Sequence, residues 1–174
     1  MRYYGLRQVI DYHYGRLSDN NYLTETPQII DLWLKLAKKY KSTSYYNLFF
    51  EVYNEPSHIN PKVWKDAAYN IATATRKVDR QRTLVAGASN YSSIYELSRF
   101  ERPADDNIIY TFHSYEPFFF THQGAAGWVA RLQPPGYHFH TMRKIFLHLI
   151  KKQKIPPAKA TTVCNARWQR TIHK

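Results

Sequence analysis

Apolar positions in the first two thirds of the chain follow two periods in alternation. Over Arg7 to Tyr14, RQVIDYHY, Val9, Asp11 and His13 fall on one face and Ile10, Tyr12 and Tyr14 on the other, which predicts a strand ended by Gly15. Arg16 to Thr24 reads as a polar loop. From Thr26 and Pro27, taken as an N-cap and first helical residue, the period becomes helical: Ile29, Ile30, Trp33, Leu36, Ala37 and Tyr40 form the inner stripe. Lys35, Lys38, Lys39 and Lys41 occupy the other face and last turn, most simply a solvated face that suits the helix dipole. Leu48 to Tyr53 is a run of bulky residues of the kind that fills a strand buried on both faces. Asn54, Glu55 and Pro56 stop it. Because proline disfavours helical backbone in the residue before it, Glu55 is expected to be extended and to project from the strand's C-terminal rim.

Asn60 and Pro61 open a second helix running to about Val78, with Val63, Trp64, Ala67, Ala68, Ile71, Ala74 or Thr75, and Val78 facing inward. Thr83 to Ser89 is a third strand, SSIYELSRF a short helix, and Asn107 to Phe112 a fourth strand. Such β-α-β-α-β-α-β order with short connections demands parallel strands and an α/β fold. The four strands end in His13, Asn54/Glu55, Ser89/Asn90 and His113/Tyr115. Taken singly, Asn-Glu-Pro is equally an ordinary polar turn, and an isolated His is more often structural than catalytic. Together they bring titratable and aromatic groups to one rim, the edge at which α/β folds carry chemistry.

Length and composition narrow the picture. The chain of 174 residues allows one ordinary domain; a complete (β/α)8 barrel typically needs about 250. Fifteen Tyr and four Trp suit both a core and stacking on sugar rings. The lone Cys164 excludes an intramolecular disulfide. No charged segment leads into an apolar stretch at the N-terminus, so no signal peptide is expected, and the sequence sets no compartment. The net charge of +12 is unevenly placed: up to Glu116 there are 15 basic and 13 acidic residues, whereas Pro117 to Lys174 holds 10 basic and no acidic ones.

The segments VIDYHYG, FEVYNEP, RTLVAGASNYS and IIYTFHSYEPFFFTHQGAAGW, from about Gly5 to Trp128, resemble glycoside hydrolase family 5, the cellulase-like retaining β-glycosidases with (β/α)8 TIM barrels. The resemblance covers strands three to six, about half a barrel. It implies hydrolysis of O-glycosidic bonds in β-linked glucans or mannans, a polysaccharide or oligosaccharide substrate, and no cofactor. By it Glu55 matches the general acid/base and Asn54 the residue that hydrogen-bonds the sugar 2-hydroxyl. His13, His113 and Tyr115 match substrate-contacting or carboxylate-orienting positions, and Trp128 is a candidate sugar platform. An acid working near neutral pH needs a raised pKa, which is expected of Glu55.

Departures from the family pattern are equally definite. A retaining glycosidase needs a second carboxylate, in this family a Glu ending strand seven, and no Asp or Glu follows Glu116. No nucleophile is therefore assigned. Glu116 is the nearest substitute; Glu51 and Asp11 lie deeper on their strands. The family's first two strands and its eighth have no counterpart, and the open edges of half a barrel invite self-association. Weak or absent hydrolysis is the expectation, with a non-catalytic carbohydrate-binding relic as the alternative. Residues 1–136 are read as partial catalytic domain and 137–174 as a basic tail. That tail fits a shifted reading frame, a genuine basic module or an unfolded cationic extension. Binding of nucleic acid or membrane is disfavoured, and His138, His140 and Cys164 lack metal-ligand spacing.

Overall fold

The computed structural model describes residues 6–13, 15–101 and 105–115. Tyr14, Glu116, Trp128, His138, His140, Cys164 and the whole of 137–174 lie outside the described residues.

Among the described residues, β1 (Gln8–Asp11), β2 (Leu48–Glu51), β3 (Leu84–Gly87) and β4 (Ile108–Thr111) form one parallel sheet in the order β1-β2-β3-β4. Helix α1 (Tyr22–Tyr40) connects β1 to β2, α2 (Pro61–Val78) connects β2 to β3, and one-turn α3 (Ile94–Leu97) lies between β3 and β4. Each strand neighbours its successor, the arrangement of consecutive βα units in a barrel wall. The expected fold class is thus present, among the described residues, as four parallel strands joined by alternating helices. The ladders are shorter than the apolar runs, but backbone contact continues beyond them: Asn54 N–H donates to the Tyr12 carbonyl at 3.0 Å and Val52 N–H to that of Val85 at 3.0 Å.

The core lies between helices and sheet. Trp33 of α1 stacks at a tilt on Phe50, with centroids 5.1 Å apart, and Trp64 of α2 on Tyr53 at 5.4 Å. Each indole also reaches the end of a strand: Trp33 Nε1 donates to the Val52 carbonyl at 3.0 Å, and Trp64 Nε1 to that of Gly87 at 2.9 Å. Buried backbone carbonyls need such partners where a ladder stops. Gly15 lies so close to the Tyr53 ring that an added Cβ would come within 2.4 Å of it, and the Tyr53 hydroxyl accepts from Leu17 N–H at 3.0 Å. The loop after β1 is thereby fastened across the end of β2.

Two expectations need correction. Helix α1 begins at Tyr22, not Thr26, and Pro27 lies inside it. A turn closed by Asn21 Oδ1 accepting from Ser18 N–H at 2.8 Å starts the helix early. Pro27 is tolerated because the carbonyl it cannot serve, four residues back, belongs to solvent-exposed Leu23. Thr26 is instead buried, with no hydrogen-bond partner for its hydroxyl among the described residues. Secondly, Ser89–Ser92 is a left-handed turn with φ of 53° at Asn90, 61° at Tyr91 and 55° at Ser92. The helix expected to begin at Ser92 starts only at Ile94, capped by the Ser93 hydroxyl, which accepts from Tyr95 N–H.

At the opposite end of the sheet Arg82 is completely buried. Its guanidinium donates to Asp79 Oδ2 (3.1 Å) and to the carbonyls of Ser44 (3.3 Å), Leu48 (3.0 Å), Tyr40 (2.8 Å) and Thr43 (3.0 Å). It also lies 4.7 Å from the Tyr45 ring centroid. Arg82→Met leaves the buried Asp79 carboxylate without its cation and takes a donor from each of four carbonyls, so stability should fall by about 3–5 kcal/mol. Urea unfolding reads this as a lower midpoint; a loss under about 1 kcal/mol, the size typical of a surface pair, would contradict it.

Candidate active site

The C-terminal rim gathers side chains from three strands. Glu55 and Asn54 follow β2, His113 and Tyr115 follow β4, and His13 follows β1. Glu55 is not extended as Pro56 suggested; its φ is 48°, in the left-handed region that non-glycine residues rarely adopt. The surroundings hold it there. Tyr91 N–H donates to the Pro56 carbonyl at 3.1 Å, and His113 N–H donates to that of Ser92 at 2.9 Å. The left-handed turn after β3 is thus bonded on one side to the Glu55 loop and on the other to His113.

Glu55 Oε1 lies 2.6 Å from His113 Nδ1 and accepts from the Tyr115 hydroxyl at 2.9 Å. An ionised carboxylate has no hydrogen to give, so His113 must carry its hydrogen on Nδ1. The His113 hydrogen bond, chiefly, holds the Glu55 pKa below the ordinary carboxylate value; burial opposes it and Tyr115 reinforces it. The raised pKa expected for an acid is therefore corrected. In this arrangement Glu55 stands as the anion, the form that takes a proton.

His13 is exposed, and its Nδ1 lies 2.9 Å from Asp11 Oδ2. Asp11 was read only as a deep acid unable to serve as nucleophile; here it orients the imidazole. The signal was available, since residues two apart on a strand share a face. Asn54 is buried beside Glu55. Trp128 lies outside the described residues, so the structure brings together five of the six candidates and leaves that one unplaced. Among the described residues no group of three His, Cys, Asp or Glu could hold a metal ion.

Glu51, also read as a deep acid only, is 8% exposed. Burial, the dominant cause, pushes its pKa from 4.5 to about 7; Asp11 and Glu55 add to the rise, and His113 and His13 oppose it. A carboxyl whose folded pKa exceeds its unfolded value costs stability as pH rises from the unfolded pKa through the folded one. Across about pH 4.5 to 7 that cost grows to roughly 3 kcal/mol. Glu51→Gln should therefore gain stability relative to the parent chain as pH rises from 4.5 to 8. Equal pH dependence of unfolding in the two proteins would refute a buried, proton-holding Glu51.

The comparisons agree with this architecture. The chain belongs to the cellulase family, glycosyl hydrolase family 5, whose model matches residues 2–168. It is 38% identical over 131 residues to Endoglucanase 3 of Fibrobacter succinogenes, covering 71% of this chain and 20% of that one. It is 36% identical over 131 residues to Endoglucanase C of Acetivibrio thermocellus, covering 70% and 38%. Thermotoga maritima Cel5A, solved in complex with cellobiose, superposes with TM-score 0.70 at 27% identity, covering 89% of this chain and 54% of that one. The same protein solved with mannotriose gives 0.66 at 26%, covering 85% and 51%. The chain thus spans a fifth to two fifths of these curated relatives and about half of the solved structure.

Proposed function

We propose that this chain carries the acid/base half of a retaining β-glycanase site. In this reading Glu55 protonates the departing glycosidic oxygen and later deprotonates the water that releases the sugar. The observation that supports it most directly is the clamp on Glu55 Oε1, with His113 at 2.6 Å and Tyr115 at 2.9 Å. Family membership supports the reaction class, and endoglucanase relatives support β-linked glucan as substrate. Cellobiose and mannotriose in the solved relative favour a site for β-linked glucose or mannose units. Asn54 meets the sugar 2-hydroxyl, while His13, held by Asp11, and Tyr115 line the sugar. Trp128 supplies a stacking face.

A retaining mechanism places its two carboxyl groups about 5–5.5 Å apart. No Asp or Glu follows Glu116 in this sequence. That fact favours, as a second reading, sugar binding without turnover. The outer strands β1 and β4 each pair on one side only among the described residues, and we include association of two copies through those edges in the proposal.

Calorimetry with cello-oligosaccharides and reducing-sugar release from a soluble β-glucan separate the readings. The 174-residue chain should bind the oligosaccharides, with weaker affinity in Asn54→Ala and Tyr115→Phe, and turn over weakly or not at all. Any turnover above background should fall about 10²–10⁴-fold in Glu55→Gln. Robust hydrolysis that survives Glu55→Gln removes the acid/base role. Failure to bind glucan or mannan oligosaccharides removes the sugar site altogether.

A further inference from the structure

Between the Glu55 loop and His113 stands a turn of three consecutive residues at positive φ, Asn90, Tyr91 and Ser92, none of them glycine. Ser92 is completely buried, yet its hydroxyl has no hydrogen-bond partner among the described residues. Backbone at φ 55° and a buried hydroxyl without a partner both cost stability, and glycine at this position would escape both. A side chain retained against both costs points to use rather than stability. What Ser92 touches is Gly87, the last residue of β3. A Cβ built on Gly87 would lie 2.2 Å from Ser92 Oγ and 2.8 Å from Ser92 Cβ, so the serine side chain folds back onto the bare α-carbon of the strand. The same Cβ would meet Thr111 Cγ2 at 3.5 Å, which puts Ser92 on the sheet face that Thr111 shares. Gly87 is itself held, because its carbonyl accepts from Trp64 Nε1 at 2.9 Å and it pairs in register with Thr111 of β4. Ser92 in turn presents its carbonyl to His113 N–H at 2.9 Å, and Ser93 pairs with His113 in a parallel bridge. His113 Nδ1 lies 2.6 Å from Glu55 Oε1. Contact therefore runs from the sheet to the carboxylate through Gly87, Ser92 and His113.

We propose that Ser92 is a positioning residue that acts through His113: seated on Gly87, its side chain fixes where the Ser92 carbonyl stands, and that carbonyl sets the approach of His113 to Glu55. The proposal rests on the acid/base reading of Glu55 for the use made of that approach. A hydrogen bond of 2.6 Å is sensitive to distance and angle, so a turn free to shift would lengthen it. Gly87 is the other half of the device. Alanine there would bring a Cβ closer to Ser92 than atoms approach, and because the strand is held by its ladder and by Trp64, the turn must give way.

Proton NMR of the full chain reads the His113 Nδ1 hydrogen directly and needs no turnover, with His113→Gln assigning the signal. The parent chain should show this proton well downfield of the backbone amides and slow to exchange with water. In Ser92→Gly it should move upfield and exchange about tenfold faster or more, the loosening expected when a charge-assisted hydrogen bond is weakened. The urea midpoint of Ser92→Gly should meanwhile stay equal or rise, because the backbone strain and the unpartnered hydroxyl are both removed. Gly87→Ala should loosen the same proton and lower the midpoint. A purely structural Ser92 would alter stability and leave the proton as it is in the parent. An unchanged shift and exchange rate in Ser92→Gly overturns the proposal, as does a proton loosened only together with a falling midpoint in that variant. Absence of the downfield proton from the parent chain removes the His113 bond on which the proposal stands and overturns it as well. If Gly87→Ala fails to fold, Ser92→Gly still decides it. Loss of the acid/base reading shows elsewhere, in hydrolysis that survives Glu55→Gln, so the two failures are distinguishable.

Discussion

A guanidinium with no exposed surface persists only if its hydrogens meet acceptors, and Arg82 meets Asp79 and the carbonyls of Tyr40, Thr43, Ser44 and Leu48. These acceptors belong to the end of α1, the turn that follows it and the start of β2. Arg82 itself stands just before β3, so one side chain ties together three segments through their backbone carbonyls. Arg76 extends the network: it binds the Arg82 carbonyl, Asp105 Oδ2 at 2.6 Å and the Asn107 carbonyl at 2.9 Å, which brings in the entry to β4. The lower end of the sheet is thus locked by polar contacts before any apolar burial is counted.

A rigid lower end allows the upper rim to hold unfavourable backbone. Glu55, Asn90, Tyr91 and Ser92 all have positive φ without being glycine. Residues in such regions cost about 1–3 kcal/mol each and persist only where their surroundings over-determine them. Here Tyr91 N–H on Pro56 and His113 N–H on Ser92 do this, while the two tryptophan indoles hold the ends of β2 and β3 from below. Strain gathers around a carboxylate that two side chains clamp.

Much of this was legible in the residues. The two periods of apolar positions placed all four strands and both long helices, and Asn60-Pro61 marked the start of α2, where Asn60 Oδ1 accepts from Lys62 N–H at 2.9 Å. The convergence of His13, Glu55, His113 and Tyr115 on one rim followed from the same pattern. Local rules failed where tertiary contacts outweighed them. Thr26-Pro27 looked like a helix start, yet the Ser18–Asn21 turn begins the helix earlier. Pro56 argued for an extended Glu55, yet the turn after β3 holds it left-handed. Arg82 stood in a polar stretch, VDRQRTL, with nothing to show that it would be buried, because the carbonyls it binds lie 34 to 42 positions away.

Glu55 sits at its low proton affinity for a reason that bears on the whole site. His113 and Tyr115 donate to the same oxygen, and every donor to a carboxylate favours the anion. An acid catalyst needs the opposite balance, which glycosidases obtain from apolar burial or from a second carboxylate close by. Partial burial does act on Glu55, but it does not overcome the His113 hydrogen bond. With the donors fixed by the fold, the proton affinity of Glu55 rises only with deeper burial or with negative charge brought close to it. The same two hydrogen bonds that keep Glu55 in position therefore also hold it toward the anion. Orientation and protonation state are thus set together, by two donors that follow β4 acting on a carboxylate that follows β2.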